Sequence, residues 1–304
     1  MNTFLVEQLI ESTGFCLKEE IQELSVMKAG MTNRSYSFLK SGKKYIIRIP
    51  GEGTEQLINR YHEYDVYRSI APLHISELVY YLTPDTGIKI ASYIEASRPC
   101  DPHNFDDVQK CMKELRYFHN QKLSVDHKFD LWDQIEFYES LWEGQDSRYA
   151  DYHETKKAVW TLRRFIDAQP HDWTLCHIDS IPDNFLFEQI KDESVRVKLS
   201  DWEYAGMQDP HVDIAMFAIY AMYDRAAVDK LIDAYFTEGC TYLTRMKIYC
   251  YIAISGLLWS NWCEFKEKCG ISFGVYAQRQ YEYAKEYLAY FQDAYARKYN
   301  KEFV

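Results

Sequence analysis

The chain has 304 residues, of which 47% are hydrophobic, so it is long enough for two packed lobes with sizeable cores. Its formal net charge of −11 argues against a nucleic-acid backbone as a partner. The first residues do not resemble a secretory signal, and the apolar stretch 248–263 is too short for a membrane span, so we expect a cytoplasmic protein without membrane insertion and with a buried helix at 248–263.

The N-terminal third is patterned as strands with one helix between them. In chain order, alternation and turn residues predict two strands within 24–40 on either side of residues 30–33, a strand over 44–50, a helix over 54–69 with Thr54 as its N-cap, and strands over 77–82 and 88–94. Five strands with a helix after the third predict a small antiparallel-sheet lobe.

The rest of the chain is mostly helical in pattern. Helices are predicted over 104–120, 131–143, 154–168, 212–223, 226–236, 244–267 and 276–298, with short strands around 185–190 and 196–201. The fold class is therefore α+β with two lobes. We expect an N-terminal lobe over 1–94, a hinge over 95–102 and a larger helical lobe over 103–304.

The eight cysteines form no Cys-x-x-Cys pair, zinc spacing or small-domain disulfide framework. Five of them lie in or beside apolar segments, as buried thiols in a reducing cytosol usually do: Cys100, Cys111, Cys176, Cys250 and Cys263.

Three oxygen-bearing side chains follow one another at a distinctive spacing. His177-x-Asp179 is followed after four residues by Asn184, and Asp201 begins Asp201-Trp202-Glu203 at the end of an apolar run. Phosphoryl transfer from ATP needs a carboxylate to orient the attacking hydroxyl, and an amide and a second carboxylate to hold Mg²⁺. The residue types and their order match protein-kinase-like enzymes, which have Asp-Phe-Gly in place of Asp-Trp-Glu. This set of residues therefore predicts that the protein is a kinase.

The N-terminal strands carry candidate nucleotide-binding residues. The turn between the first two strands contains Gly30, where backbone N–H groups and the small polar side chains of Thr32 and Asn33 can approach phosphates. Arg48 stands on the third strand where a protein kinase has its phosphate-binding Lys, and its planar fork suits phosphate oxygens. Glu63, about two and a half turns into the predicted helix, could orient that arginine.

With these motifs the chain resembles the bacterial choline kinases of the choline/ethanolamine kinase family and, more distantly, the aminoglycoside phosphotransferases. The resemblance covers nearly the whole chain and is carried by Gly30-Met31-Thr32-Asn33, Arg48 to Thr54, His177 to Asn184, Asp201 to Gly206, Asp213-Ile214-Ala215 and Trp259-Ser260-Asn261-Trp262. It implies a two-lobed protein-kinase-like fold and ATP-dependent, Mg²⁺-assisted phosphorylation of choline to phosphocholine.

The resemblance also implies a role for each motif residue. Asp179 binds choline and acts as the catalytic base, while Asn184 and Asp201 ligate Mg²⁺. Arg48 contacts the nucleotide phosphates, and Glu63 supports it.

Three further residues belong to the same motifs. The resemblance implies that His177 braces the catalytic loop and that Asp213 accepts hydrogen bonds from the backbone of that loop. Glu203 is either a second metal ligand or a structural residue.

The choline site is implied at the aromatic residues of the second lobe. A quaternary ammonium cannot donate a hydrogen bond, so proteins hold it with aromatic faces and negative charge. Trp259 and Trp262 are three apart on one predicted helix and therefore share a face. In the family the matching pair forms walls of the pocket, and Phe273 aligns with another pocket aromatic. Weaker candidates are Tyr204, Tyr276 and Tyr281.

One position departs from the family pattern. Animal-type choline kinases carry an acid seven positions after the first residue of the Asp213 motif, where this chain has Tyr220. Asp179, another carboxylate such as Glu264, or an added aromatic face must compensate, and an all-aromatic pocket favours the trimethylated amine.

Two other functions stay open on the sequence alone. The first is a kinase of the same fold that acts on ethanolamine, an aminoglycoside or another amino-alcohol, which would not need Trp259 and Trp262. The second is an inactive pseudokinase that serves as a binding protein, against which the intact Asp179, Asn184 and Asp201 argue.

Overall fold

The computed structural model describes residues 3–27, 33–51, 54–190 and 194–303, and the chain divides into two compact units. The first unit consists of residues 1–99 and 183–205, and the second of residues 100–182 and 206–304. The short segment 183–205 thus packs with the N-terminal strands, although it follows the predicted hinge in the chain. The predicted limits along the chain, 1–94, 95–102 and 103–304, stay predictions.

Strands and helices within the described ranges are as follows. The strands are β1 (Gln22–Val26), β2 (Asn33–Lys40), β3 (Lys43–Pro50), β4 (Val79–Leu82), β5 (Lys89–Ser92), β6 (Ser97–Pro99), β7 (Thr174–Cys176), β8 (Phe185–Gln189), β9 (Val195–Leu199) and β10 (Gly206–Gln208). The helices are α1 (Thr3–Ser12), α2 (Arg60–Ile70), α3 (Phe105–Asn120), α4 (Leu131–Ser140), α5 (Tyr152–Trp160), α6 (Leu162–Asp167), α7 (His211–Tyr220), α8 (Arg225–Tyr235), α9 (Tyr242–Lys268) and α10 (Val275–Tyr299).

The first unit is built on an antiparallel sheet of order β1-β2-β3-β5-β4. The predicted strands are all present, and the Ser41-Gly42 turn between β2 and β3 has positive φ at both residues, as a tight hairpin requires. Helix α1, which the sequence analysis did not predict, buries Val6 and Ile10 in the same core as Phe38 of the sheet. Apolar burial therefore joins the N-terminal helix to the sheet.

Helix α2 begins six residues later than predicted, and Thr54 is not its N-cap. The Thr54 hydroxyl donates to the carbonyl of Gly51 at 2.7 Å within a short 3-10 turn, whereas Asn59 accepts from the backbone N–H groups of Tyr61 and His62. Asn is among the strongest N-cap residues because its side-chain oxygen satisfies these otherwise unpaired donors. Glu63 consequently lies in the first turn of α2 and not two and a half turns into it.

A second, three-stranded sheet of order β6-β8-β9 completes the first unit. Strand β8 buries alternate residues such as Phe185 and Phe187, β9 buries its last three residues, and the backbone N–H of Leu199 donates to the carbonyl of Ile75 at 2.7 Å. The hairpin is thereby attached to the N-terminal part of the chain. Its ends place Asn184 and Asp201 for the site described below.

The second unit packs around α9, which is buried along most of its length. Helices α4, α5, α6, α7 and α10 all contact it. The predicted helix over 154–168 is two helices, α5 and α6, because the chain turns at Thr161, whose hydroxyl donates to the carbonyl of Ala158 at 2.7 Å. Across the described ranges we find no helix long and apolar enough to cross a bilayer, and the apolar stretch in α9 is core, as predicted.

All eight cysteines carry free thiols, and the five predicted to be buried are buried. Burial raises the pKa of the Cys176, Cys250 and Cys263 thiols, because a thiolate would lose its hydration in the core. These cysteines therefore behave as small apolar residues in the packing.

The contact between α9 and α10 generates the first prediction. A Cβ at Gly256 would lie 2.6 Å from the backbone oxygen of Gln280 and 2.8 Å from Cβ of Tyr283. We expect Gly256→Ala to lower the free energy of unfolding by about 1–3 kcal/mol through overpacking, measured by urea denaturation. Helix propensity alone predicts the opposite sign, a stabilisation of about 1 kcal/mol, and such a gain would contradict the close approach. Ser255→Ala on the same helix is the matched control and should change stability little.

Candidate active site

The segment that carries Asp179 leaves β7 and is held in a strained conformation. Strand β7 pairs with β10, and Ile178 follows it with φ 69°, a left-handed conformation that a β-branched residue rarely adopts. Ile178 and His177 are fully buried, while Asp179 is partly exposed. Strain of this kind persists only where surrounding contacts impose it, and it is typical of functional loops.

Asp213, in the first turn of α7, supplies those contacts. Its two carboxylate oxygens accept hydrogen bonds from the backbone N–H groups of His177 and Ile178 at 2.8 and 2.7 Å, and its backbone carbonyl accepts from the Ser180 hydroxyl at 2.6 Å. These are the contacts expected from the sequence for a residue that supports the catalytic loop. His177 takes part through its backbone and is buried beneath the loop.

A buried histidine holds Asp213 in turn. Nε2 of His119 on α3 lies 2.8 Å from the Asp213 carboxylate, and Nδ1 lies 2.8 Å from the Tyr235 hydroxyl. Because the carboxylate can only accept, Nε2 donates in the contact with Asp213. Cys176 lies within reach of the same two groups, and burial raises the pKa of its thiol. The hydrogen bonds to Asp213 give the cluster a structural role.

Five aromatic rings form a continuous cluster in the second unit. Neighbouring ring centroids along the cluster are 5.2 to 6.3 Å apart. In order of contact the rings are Trp259, Trp262, Phe273, Tyr276 and Tyr220. The cluster joins the end of α9, the start of α10 and the end of α7. It brings together the predicted pocket residues Trp259, Trp262 and Phe273, and Tyr220, at the position of the acid of animal-type choline kinases, contributes one of its rings.

The predicted base lies within electrostatic reach of this cluster. Burial raises the pKa of the Tyr276 hydroxyl, and the nearby acidic groups of Cys263 and Asp179 raise it further. Tyr276 is therefore the ring of the cluster that the structure relates to Asp179, although the sequence made it only a weak candidate.

Two other predicted residues, Tyr281 and Tyr204, lie outside the five-ring cluster. Tyr281 stacks on Tyr149 at 3.8 Å, and its hydroxyl is 2.8 Å from both Asp151 and Thr155, so its ring is not part of the five-ring cluster. Tyr204 is buried in the first unit beside Glu203. Their choline contacts stay predictions.

Glu264, one of the acids considered as a replacement at the pocket, is already engaged. Its carboxylate accepts from the Ser147 hydroxyl at 2.7 Å and from the backbone N–H of Arg148 at 3.0 Å. Glu264 follows Trp262 by two residues on the same helix, so the two side chains leave the helix in directions roughly 200° apart. Of the compensations considered from sequence, Glu264 is bound elsewhere, whereas Asp179 lies within electrostatic reach of the cluster and Tyr220 is one of its rings.

In the first unit, Arg48 and Glu63 form a buried bidentate ion pair. Nη1 of Arg48 donates to Oε1 of Glu63, Nη2 donates to Oε2 at 2.8 Å, and Nη2 also donates to the carbonyl of Gly87 at 3.1 Å. Burial alone would raise the pKa of Glu63, but the charges of Arg48, Lys89 and Arg60 outweigh it and lower the pKa to about 2. The pair predicted from sequence is present, and it fixes the direction of the Arg48 guanidinium.

Asn184 and Asp201 stand at the same end of the β8–β9 hairpin. Asn184 immediately precedes β8, Asp201 follows β9, and both the backbone N–H and the hydroxyl of Ser200 donate to the carbonyl of Asn184, at 2.9 and 3.2 Å. Asp201 has φ 65°, again a left-handed conformation for a non-glycine residue. The hairpin therefore brings the Asn184 and Asp201 positions to the same end.

The electrostatics of this pair suit a divalent cation. Burial raises the pKa of Asp201 to about 7, with the charge of Glu203 adding to the rise and that of Arg48 opposing it. The Asp201 side chain keeps 39% of its surface exposed, and Nη1 of Arg48 approaches it only to 4.0 Å. The Asp201 carboxylate and the Asn184 amide are hard oxygen donors, the ligand type that fits Mg²⁺.

The remaining nucleotide candidates are only partly within the described residues. Gly30 and Thr32 lie outside them. Asn33 is described, and its side-chain amide donates to Oε2 of Glu203 at 3.0 Å. Glu203 also accepts from Nη1 of Arg60 at 3.0 Å, so of its two predicted roles the structural one has direct contacts.

Arg60 and His119 were missed by the sequence analysis. Arg60 had a local signal, because Asn59 as N-cap would have placed Arg60 and Glu63 three apart in the first turn of α2. His119 had none, since its partner Asp213 lies 94 residues further along the chain.

Comparison with known proteins agrees with this geometry. The profile of the family described as choline/ethanolamine kinase matches residues 24–232. The chain belongs to the choline/ethanolamine kinase family. It is therefore a kinase that uses ATP as phosphoryl donor, with the small antiparallel-sheet lobe and helical lobe of the protein-kinase-like fold.

Individual relatives cover most of the chain. Protein LicA of Haemophilus influenzae is 29% identical over 281 residues, which are 85% of this chain and 78% of that protein. The crystal structure of choline kinase LicA from Streptococcus pneumoniae superposes with a TM-score of 0.80 at 28% identity, covering 95% of this chain and 99% of the other. A LicA structure in complex with AMP gives a TM-score of 0.79 at 28% identity, covering 94% and 98%.

The loop support generates the second prediction. Asp213→Asn should lower kcat at least about tenfold while changing the KM values for both substrates less than about threefold, because an amide can no longer accept from both loop N–H groups. Steady-state kinetics with each substrate varied would measure this. Asp224→Asn, at the N-cap of α8, is the matched control and should behave as wild type, since Asn caps helices as well as Asp. A variant at Asp213 with unchanged kcat would show that the loop does not need this support.

Proposed function

We propose that this chain transfers the γ-phosphoryl group of ATP to the hydroxyl of choline, giving phosphocholine and ADP, with Mg²⁺ assisting. The observation that carries the proposal is the five-ring cluster in the same unit as Asp179, with Tyr276 within electrostatic reach of that carboxylate. Aromatic faces bind a trimethylammonium group through cation–π attraction without hydrogen bonds. A carboxylate at the edge of such a cluster is suitably placed for the hydroxyl of the same small substrate.

Asp179 is the proposed catalytic base. It orients the choline hydroxyl and accepts its proton as the oxygen bonds to the γ-phosphorus and the bond to the leaving ADP breaks. The strained backbone at Ile178 and its hydrogen bond to Asp213 hold the loop, so that the carboxylate does not have to be ordered when the substrate binds.

The first unit supplies the proposed nucleotide-binding groups. Arg48, oriented by Glu63, presents its guanidinium to phosphate oxygens, for which a planar fork is well matched. Asn184 and Asp201 would hold Mg²⁺, which neutralises charge on the phosphates when bound. Asn33 supports this region through Glu203, and its predicted contact with nucleotide belongs to the same proposal.

Choline is preferred over ethanolamine in this proposal because of what surrounds the ammonium group. A primary ammonium loses hydration on binding and needs acceptors in exchange. Tyr220 occupies the position of the family's acid, and Glu264 is engaged by Ser147 and Arg148. The cluster therefore favours a cation that is satisfied by aromatic faces.

Substrate preference is the third prediction. With ATP and Mg²⁺, we expect kcat/KM for choline to exceed that for ethanolamine at least about tenfold, a difference of about 1.4 kcal/mol in transition-state stabilisation. A panel of amino-alcohols would measure it. An enzyme that preferred ethanolamine, or that phosphorylated none of the panel, would overturn the proposal.

Substitution of each tryptophan tests whether the five-ring cluster binds choline, which the third prediction assumes. Trp259→Ala and Trp262→Ala should each raise the KM for choline at least about tenfold, since a desolvated cation–π contact contributes about 2 kcal/mol. The KM for ATP should change less than about twofold and reports that the variant is folded. Trp→Leu variants leave a smaller cavity than Trp→Ala and also lack the ring, so similar KM values for the two would assign the effect to loss of the ring. Trp173→Ala, at an exposed ring, is the control.

The chemical step is the fourth prediction. Asp179→Ala or Asp201→Asn should remove nearly all activity, because base assistance alone contributes about 10²–10⁴-fold. The unfolding temperature should stay close to that of wild type, and Asp172→Asn at an exposed position is the control. Retention of more than about a tenth of the wild-type kcat by a folded variant would show that its residue does not have the proposed role.

A further inference from the structure

Three segments of the first unit meet at the guanidinium of Arg60. Nη1 of Arg60 donates to Oε2 of Glu203 at 3.0 Å, Nη2 donates to Oδ1 of Asn33 at 3.3 Å, and Nδ2 of Asn33 donates to Oε2 of Glu203 at 3.0 Å. The three side chains thus form a closed ring of hydrogen bonds. They come from the start of α2, the segment after β9 and the start of β2.

The same guanidinium also reaches the Arg48–Glu63 pair. Nη1 of Arg60 donates to Oε2 of Glu63 at 2.8 Å, the oxygen that also accepts from Nη2 of Arg48. Glu203 lies 3.7 Å from Nη1 of Arg48. Arg60 therefore connects the residue proposed to bind phosphate with the segment that carries the proposed metal ligand Asp201.

The chain leaves room for the Arg60 side chain at Gly87. A Cβ at Gly87 would lie 2.8 Å from both Cδ and Nε of Arg60 and 2.8 Å from Cγ of Pro50. Gly87 also has φ +67°, and its carbonyl accepts from Arg48. A glycine at this point allows the backbone to approach both arginines closely.

The charges explain why a guanidinium is needed. The side chains of Glu63 and Glu203 are 0% and 2% exposed, and that of Arg60 is 10% exposed. A carboxylate removed from water in this way must be paired and hydrogen-bonded. A lysine is a single point charge, whereas the two terminal nitrogens of arginine reach three acceptors on three segments.

We propose that Arg60 is the positioning residue that fixes Glu203, and with it the Asp201 segment, to the start of α2. Arg48 keeps its own bidentate pair with Glu63, so the guanidinium of Arg60 acts on the metal-binding end of the β8–β9 hairpin. In this proposal the Glu203 carboxylate is bound by Arg60 and Asn33, and the Asp201 carboxylate is the one that binds the cation. The inference rests on the proposed function, but it concerns nucleotide and Mg²⁺ alone and not the choline site.

The test measures ADP affinity by calorimetry with Mg²⁺ and with EDTA, in the absence of choline. For Arg60→Gln we expect affinity at least about tenfold weaker than wild type with Mg²⁺ and within about threefold of wild type with EDTA. Arg60→Lys should recover only part of the Mg²⁺-dependent gain. Arg68→Gln, at an exposed arginine in the last turn of the same helix, is the matched control and should match wild type under both conditions.

A double variant keeps the test valid if the single one is unstable. Arg60→Gln with Glu203→Gln removes one buried charge of each sign, so its unfolding temperature should lie above that of Arg60→Gln, while its Mg²⁺-dependent gain in affinity stays at least about tenfold below wild type. A double variant with the wild-type gain would overturn the inference.

Four other results of these measurements would overturn the inference or the proposed function. Equal weakening of ADP binding with and without Mg²⁺ would make Arg60 a direct phosphate ligand and overturn the positioning role, as would wild-type behaviour of Arg60→Gln. Wild-type ADP affinity that did not respond to Mg²⁺ would overturn the inference together with the metal assignment. Failure of the wild type to phosphorylate choline, with Mg²⁺-dependent ADP binding intact, would instead overturn only the proposed function.

Discussion

The buried ion pair between Arg48 and Glu63 is the interaction on which the nucleotide-binding part of the structure depends. Both side chains are removed from water, and the removal of one partner from such a pair costs about 3–5 kcal/mol because the other charge is left uncompensated. The other charges of this region are paired in the same way: Glu63 also binds Arg60, and Arg60 binds Glu203. Charge pairing thus links β3, the start of α2 and the segment after β9 into one rigid arrangement.

The second unit reaches comparable rigidity by packing. Helix α9 is surrounded by other helices, and Gly256 brings α10 so close that no side chain fits between the two backbones. Trp259 and Trp262 lie about one and two turns further along the same helix, so the walls of the proposed choline pocket stand on a helix that is buried along most of its length. Rings placed on such a scaffold are preorganised, which lowers the entropy that binding would otherwise cost.

Two non-glycine residues in the proposed catalytic and metal-binding segments have left-handed backbone conformations. Ile178 precedes the proposed base, and Asp201 is the proposed metal ligand. Each conformation costs on the order of 1–3 kcal/mol and is maintained by surrounding contacts. At Ile178 the contact is the Asp213 carboxylate, which His119 orients from α3. The stability of the helical core therefore maintains the geometry of the loop.

The sequence by itself determined the elements and motifs whose signals are local. Strand alternation and the spacing from His177 to Asn184 appear within a few residues, and Trp259 and Trp262 share a helix face by their separation alone. The start of α2 was placed wrongly, because Thr54 and Asn59 are both capping residues and only packing selects between them.

Only the tertiary structure decided which distant groups pair. Arg60 and Glu203 are 143 residues apart, and Glu264 is bound by Ser147, 117 residues away. Such pairings depend on how the elements pack, and no local pattern in the sequence indicates them. Glu264 is bound by Ser147 and Arg148 for this reason, and Tyr220 contacts Tyr276 of the five-ring cluster.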